Sequence, residues 1–286
     1  MIEDKITVIS GGESFDMYYR VYNEELLHEN APLMCVHGIR GSCLDFDVLA
    51  RSVTCISVIA IDVVGRGQSS WLKDGRQYNY NTYCYSCIQL LRHLEVEKCN
   101  FLGTSMGGII GIFLASRFPN LIAKLILNDI GPYMSKKSLE GIVRYMLHVP
   151  VFDDLDAARK YLKVTLSSFG ISQEEHWTLA FQSHITENKG QYVLSSDPKI
   201  GLALQNEVES IGYVMDLWDL WEKIPHDILV IKGEYSNVLT SGVLRDMAKR
   251  KPSLSAIIYK NVGHAPALYT PARIDPIMQW LAKPNS

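Results

Sequence analysis

Gly103-Thr104-Ser105-Met106-Gly107-Gly108 stands between a short apolar run, Asn100 to Leu102, and a helix-like stretch from Met106 to Phe118. A serine on a tight strand-to-helix turn has its hydroxyl exposed above the edge of a sheet. The flanking glycines let the backbone come close with no Cβ in the way. The helix N-terminus behind the serine favours the negative charge that develops when it attacks a carbonyl. The bare pattern Gly-x-Ser-x-Gly also describes a plain glycine-rich turn. The strand before it and the helix after it make Ser105 a candidate nucleophile.

On either side, short apolar runs bounded by turn residues alternate with helical patterns. That alternation predicts an α/β fold with a mostly parallel central sheet and helices on both faces. Upstream, Ile6 to Ile9 and Met17 to Tyr22 read as paired strands around Gly11-Gly12. Leu33 to Val36 and Ile56 to Ile61 read as buried strands. Leu44 to Val53, with Ser42 as its cap, and Tyr80 to Leu94 read as helices. Downstream, Ala123 to Leu127, Ile228 to Ile231 and Ala256 to Tyr259 complete the strands, and Pro276 to Leu281 closes the chain as a helix. The alternation breaks between residues 132 and 222. That stretch has helical periodicity, few strand signals and several large aromatics, among them Tyr145, Phe152, Trp177 and Phe181. It predicts a helical insertion, residues 132–222, over one edge of the sheet of a core made of residues 1–131 and 223–286.

Three further segments carry chemistry. Val262-Gly263-His264-Ala265-Pro266 follows the last predicted strand, and a histidine on such a loop is free to reach Ser105 as its base. His37-Gly38-Ile39-Arg40-Gly41 follows the strand Leu33 to Val36. A glycine-containing loop there can aim a backbone N–H at a substrate oxygen, so the oxyanion hole is assigned to the amides of Ile39 and Met106. His37 reads as a structural histidine that shapes the loop. Arg40 has two readings, a solvated arginine or a substrate-binding residue that meets a carboxylate in the cleft. Asp62-Val63-Val64-Gly65-Arg66-Gly67-Gln68-Ser69 reads as a turn-rich scaffold with no chemical step of its own.

The bulk of the sequence narrows the function. The chain has 286 residues, 47% of them apolar and 21% charged, which suits an ordinary globular protein with a large core. A net charge of −3 leaves no basic excess for phosphates, so nucleic acid is not an expected partner. No signal peptide is readable at Met1-Ile2-Glu3-Asp4-Lys5 and no run is apolar enough for a membrane span, so a soluble cytoplasmic protein is expected. The six cysteines, Cys35, Cys43, Cys55, Cys84, Cys87 and Cys99, are then expected to be reduced. Cys84-Tyr85-Ser86-Cys87 has redox-motif spacing but falls inside a helical run, where a thioredoxin-like site does not sit. No metal or organic cofactor is implied.

The His-Gly loop, the Asp-x-x-Gly-x-Gly-x-Ser loop, the serine turn and the late Gly-His resemble the α/β-hydrolase superfamily in order and interval, over residues 36 to 264. Within it the chain looks closest to capped serine esterases, enol-lactonases and carbon–carbon bond hydrolases. The resemblance implies a Ser105–His264 dyad completed by an acid. It also implies the family's usual place for that acid, the loop after the penultimate strand. Here that loop reads Gly233-Glu234-Tyr235-Ser236-Asn237-Val238-Leu239, and Asn237 stands where an aspartate is expected. The same exchange in a serine protease lowers the rate about 10⁴-fold, because the carboxylate sets the imidazole tautomer and stabilises the imidazolium.

Three readings are open at this point. The acid has moved to Asp129, in Asn128-Asp129-Ile130-Gly131-Pro132, a position some family members use. Alternatively Asn237 is the third triad member and orients His264 as a neutral partner, or the chain has lost catalysis and binds a ligand. Glu234 is a weaker substitute. The expected reaction is hydrolysis of small to medium carboxylic esters or lactones through an acyl-enzyme, with a carbon–carbon bond hydrolase as the alternative. A monomer or homodimer is expected.

Overall fold

The computed structural model describes residues 1–284. Eight strands form one sheet: β1 Ile2–Ser10, β2 Glu13–Tyr22, β3 Leu33–Val36, β4 Val58–Ile61, β5 Cys99–Thr104, β6 Ile122–Asn128, β7 Ile228–Gly233 and β8 Ser255–Tyr259. Their order across the sheet is β1-β2-β4-β3-β5-β6-β7-β8. β2 pairs antiparallel with β1 and with β4, and every other neighbouring pair is parallel. The carboxyl ends of β3 to β8 therefore lie along one edge, where open α/β sheets bind their ligands.

Helices α1 Asp47–Ser52, α2 Tyr80–His93 and α3 Met106–Arg117 connect the first six strands. Alternation along buried strands explains the two layers. On β5, Phe101 points into the core under α2 and α3, while its neighbour Leu102 points to the opposite core. On β6, Leu125 and Leu127 face the first side and Ile126 the second. The second core is closed by Leu49 of α1 and by Ile277 and Trp280 of the last helix, Pro271–Leu281.

Between β6 and β7 lie helices α4 Lys136–Leu147, α5 Leu155–Thr165, α6 Glu174–His184, α7 Lys199–Ser210 and α8 Trp218–Glu222. Besides these helices the insertion carries short strands. Val151–Phe152, Gln191–Leu194 and Ile185–Asn188 form a small antiparallel sheet, and Tyr133–Met134 pairs with Met215–Asp216 at the neck of the insertion. Strands of two to four residues are too short to leave a period-two pattern.

Two helices after β7 complete the fold, α9 Ser241–Arg250 and α10 Pro271–Leu281. The sequence reading passed over α9. Its signals were the Thr240 cap, whose Oγ1 accepts from the Val243 N–H, and the buried pair Leu244 and Met247. α10 starts five residues earlier than expected, at Pro271, because proline is suited to the first turn of a helix. Among the described residues no helix is long and apolar enough to cross a membrane.

Candidate active site

Ser105 sits between the end of β5 and the first residue of α3, with φ 52° and ψ −114°. A non-glycine residue there carries strain of about 1–3 kcal/mol, which the surrounding packing has to hold. The glycines on either side explain how it is held. A Cβ on Gly103 would lie 2.3 Å from the Gly107 carbonyl group, and a Cβ on Gly107 would lie 2.1 Å from the Val36 carbonyl oxygen. The turn is locked against β3 at a distance only glycine permits. The Ser105 N–H also donates to the Asn128 carbonyl at the end of β6.

The Ser105 hydroxyl lies 2.9 Å from His264 Nε2, and His264 Nδ1 lies 2.7 Å from Asp129 Oδ2. A carboxylate at Nδ1 fixes the proton there, so Nε2 is left to accept from the serine hydroxyl. Asp129 is fully buried in a left-handed conformation (φ 61°), which aspartate tolerates better than most residues. Its other oxygen, Oδ1, accepts the Gly233 N–H at 3.0 Å, and its own N–H donates to the Ile231 carbonyl. The acid is thus clamped to the end of β7 while it reaches His264. The histidine loop is held from the core by Asn128, whose side-chain amide donates to the Pro266 carbonyl. From the insertion, the Ser168 carbonyl accepts the Gly263 N–H and its hydroxyl donates to the His264 carbonyl.

Asn237 lies elsewhere. It is exposed in the 234–240 loop, and its backbone carbonyl accepts from the Ser138 hydroxyl of α4. Glu234 is exposed as well, accepting the Asn261 N–H. The partner at His264 Nδ1 is Asp129, and neither of these two takes that place.

Ile39 and Met106 both border the same cavity as Ser105 and His264. Among the described residues, neither of their N–H groups donates to a backbone carbonyl. Gly38 brings the loop over the nucleophile, since a Cβ there would lie 3.8 Å from Ser105 Cβ. His37 is fully buried; its Nε2 accepts the Val63 N–H and its Nδ1 faces the Gly38 carbonyl. Burial pushes its pKa down to about 3, so it is neutral and ties the loop after β3 to the loop after β4. In that second loop the buried Asp62 carboxylate accepts the Cys43 and Gln68 N–H groups.

The solvated reading of Arg40 is corrected. The residue is 4% exposed, and its Nη2 donates to the carbonyls of Tyr145, Met146 and His148 at the end of α4. Its guanidinium lies 4.3 Å over the Tyr145 ring. Arg40 therefore fastens the core to the insertion, capping the negative end of α4. It also borders the cavity, and its Nη1 has no hydrogen-bond partner.

Sequence reasoning missed Arg66. Its side chain is buried, its Nε donates to the Ile39 carbonyl at 3.0 Å, and its Nη2 contacts Met106 Sδ at 3.2 Å. One side chain thus braces both residues assigned to the oxyanion hole. A buried arginine and a solvated one look alike in a sequence, so only the contact reveals it. Cys84 and Cys87 are buried on α2, and burial pushes both thiols up, Cys84 to about 12, the opposite of a reactive pair.

The cavity measures about 760 Å³, large enough for a medium-sized organic substrate. Its floor carries Ser105 and His264. Its walls are α4 and α7 of the insertion and the loops after β3 and β7.

A half-buried serine on a strand-to-helix turn, with a histidine and a buried carboxylate in line behind it, is the arrangement found in serine hydrolases built on an α/β sheet. Residues 31–271 match the family model described as alpha/beta hydrolase fold, and the chain belongs to that family. It is 34% identical over 252 residues to the 3-hydroxybutyrate-oligomer hydrolase of Cupriavidus necator, covering 85% of each chain. It is 28% identical to the esterase YbfF of Escherichia coli, covering 83% of this chain and 87% of that one. A crystal structure from Rickettsia typhi matches with a TM-score of 0.88 at 30% identity, covering 98% and 99% of the two chains. The protein is a hydrolase of this fold, with esterases among its relatives.

Proposed function

We propose that the protein hydrolyses small to medium carboxylic esters or lactones through an acyl-enzyme on Ser105. The observation that carries this reading is the unbroken line from Asp129 Oδ2 through the His264 ring to the Ser105 hydroxyl, with separations of 2.7 and 2.9 Å. His264 takes the serine proton as the oxygen attacks the acyl carbonyl. Asp129 holds the imidazole in the required tautomer and stabilises the imidazolium. The Ile39 and Met106 amides receive the oxyanion. The leaving alcohol takes the proton back from His264, and a water activated by the same ring then releases the acid.

The core of residues 1–131 and 223–286 supplies this machinery. The insertion of residues 132–222 acts as the cap that shapes the acyl and alcohol pockets. Arg40 borders the cavity and is the cationic residue that a substrate carboxylate would meet there. An acid in contact with His264 weighs against the reading in which the fold has lost catalysis. Esterase relatives, and one whose name gives an ester oligomer as substrate, support ester over carbon–carbon cleavage.

The test is labelling by a serine-directed fluorophosphonate together with turnover of short p-nitrophenyl esters. Both are expected in the natural protein, and both are expected to vanish in Ser105→Ala. A protein that is neither labelled nor active overturns the proposal.

A further inference from the structure

Helix α7 shows one break in its pattern. Leu204, Glu207, Val208 and Ile211 are spaced as one helical face, and all four border the catalytic cavity. Three of them are aliphatic. The fourth is a half-buried carboxylate to which, among the described residues, no hydrogen bond or ion pair is made. Burial holds its carboxyl above the ordinary range. A leucine at 207 would complete the stripe, so an acid there is a local violation of the kind that marks a functional position.

The group nearest in character is Tyr80, at the start of α2. It borders the same cavity, packs edge-on against Tyr83 and tilted on Phe113, and feels the charge of Glu207. Among the described residues no hydrogen bond is made to its hydroxyl. The two side chains are complementary: a carboxyl oxygen accepts, and a phenol donates. A ligand hydroxyl lying between them would accept from the phenol and donate to the carboxylate. A ligand carboxylate would be repelled by Glu207, and a bare alkyl chain would leave both groups unpaired.

We propose that Glu207 and Tyr80 form a polar subsite in the cavity that binds a hydroxyl group on the substrate. This rests on the ester-hydrolase reading and sharpens it: the preferred substrate is an ester of a hydroxy acid, or one whose alcohol part carries a second hydroxyl. The subsite sits where burial makes an unpaired polar group expensive, so the hydroxyl is read as a preference and not merely tolerated.

The experiment measures kcat/KM for matched p-nitrophenyl esters with and without the hydroxyl, 3-hydroxybutanoate against butanoate and 6-hydroxyhexanoate against hexanoate. The natural protein is expected to prefer the hydroxy ester of at least one pair by about 10- to 100-fold, the range for a hydrogen bond to a charged group. Glu207→Leu is expected to remove that preference while the deoxy ester is cleaved as fast or faster. Tyr80→Phe is expected to remove part of it, and Glu207→Gln to keep part of it. Thermal melts check folding, and Glu207→Leu is expected to melt no lower than the natural protein. No preference in the natural protein, or a preference unchanged in both Glu207→Leu and Tyr80→Phe, overturns the subsite and leaves the hydrolase reading standing. A preference for an ammonium-bearing ester over the hydroxy ester also overturns it, because Glu207 would then be an ion-pair site. Failure to cleave any of the four esters overturns both.

Discussion

The loops after β6 and β7 leave adjacent parallel strands at the same edge of the sheet, and both precede the loop that carries His264. They treat the histidine differently. The first turns at once, through Asp129 in a left-handed conformation, and puts a fully buried carboxylate on His264 Nδ1. The second runs outward past Gly233, and its Asn237 ends exposed, tied through its carbonyl to the insertion. The acid of this site is therefore better described as a point in space than as a place in the sequence. Two strand ends border that point, and here the carboxylate that occupies it is Asp129. Once Asp129 does, and anchors itself to the Gly233 N–H, the neighbouring loop is released to other work. Here that work is contact with α4.

The sharpest way to break this comparison is Asp129→Asn. The side chain keeps its shape and loses its charge, so kcat is expected to fall by about 10⁴, as for the equivalent change in a serine protease. Steady-state kinetics with a melting curve would decide it. A fall of less than tenfold in a folded variant would mean that Asp129 only packs against the histidine. Next in size is the double variant Asp129→Asn with Asn237→Asp. Its activity is expected to stay within about tenfold of the single Asp129→Asn variant, because residue 237 is exposed and its loop is held to the insertion by Ser138. Recovery of most of the lost kcat would show that both loops can still serve the histidine.

Ser138→Ala removes the tie between the second loop and α4. An exposed hydrogen bond of this kind is worth about 0.5 kcal/mol, so denaturant unfolding should shift slightly. KM is expected to change more than kcat, since the loop borders the cavity and, among the described residues, no hydrogen bond joins residues 234–240 to the triad. The smallest effect is expected for Asn237→Asp alone. With Asp129 in place, kcat should stay within about twofold, the size of effect usual for a surface substitution. A large gain would show that the natural enzyme runs on an impaired acid.

Much of this could be read before any coordinates. The serine turn, the late Gly-His and the His-Gly loop are local motifs, and each depends on neighbours within a few residues. The strands are legible because parallel strands buried on both faces are continuous apolar runs. Asp129 and Asn237 were both legible as candidates, and the choice between them was not. It depends on which strand end lies nearer the imidazole, and that follows from strand order and from the direction each loop takes. Arg66 was invisible for the same reason, since its role is a contact across 27 residues of chain, to Ile39, and so was Tyr80, which borders the cavity together with Glu207, 127 residues away. Glu207 itself did leave a trace, an acid in an aliphatic stripe. That trace gains meaning only once the stripe is known to face the cavity.

The sequence by itself determined the sheet, the helices around it, the serine on its strained turn and the histidine free to meet it, because glycine sterics and apolar periodicity act over short stretches of chain. Only the tertiary structure decided which carboxylate meets His264, which arginine contacts both Ile39 and Met106, and what the insertion presents to the cavity. Those outcomes depend on hydrogen bonds and charges meeting over separations of a few ångströms between residues far apart in the chain. Their strength is set by the burial that the whole fold creates.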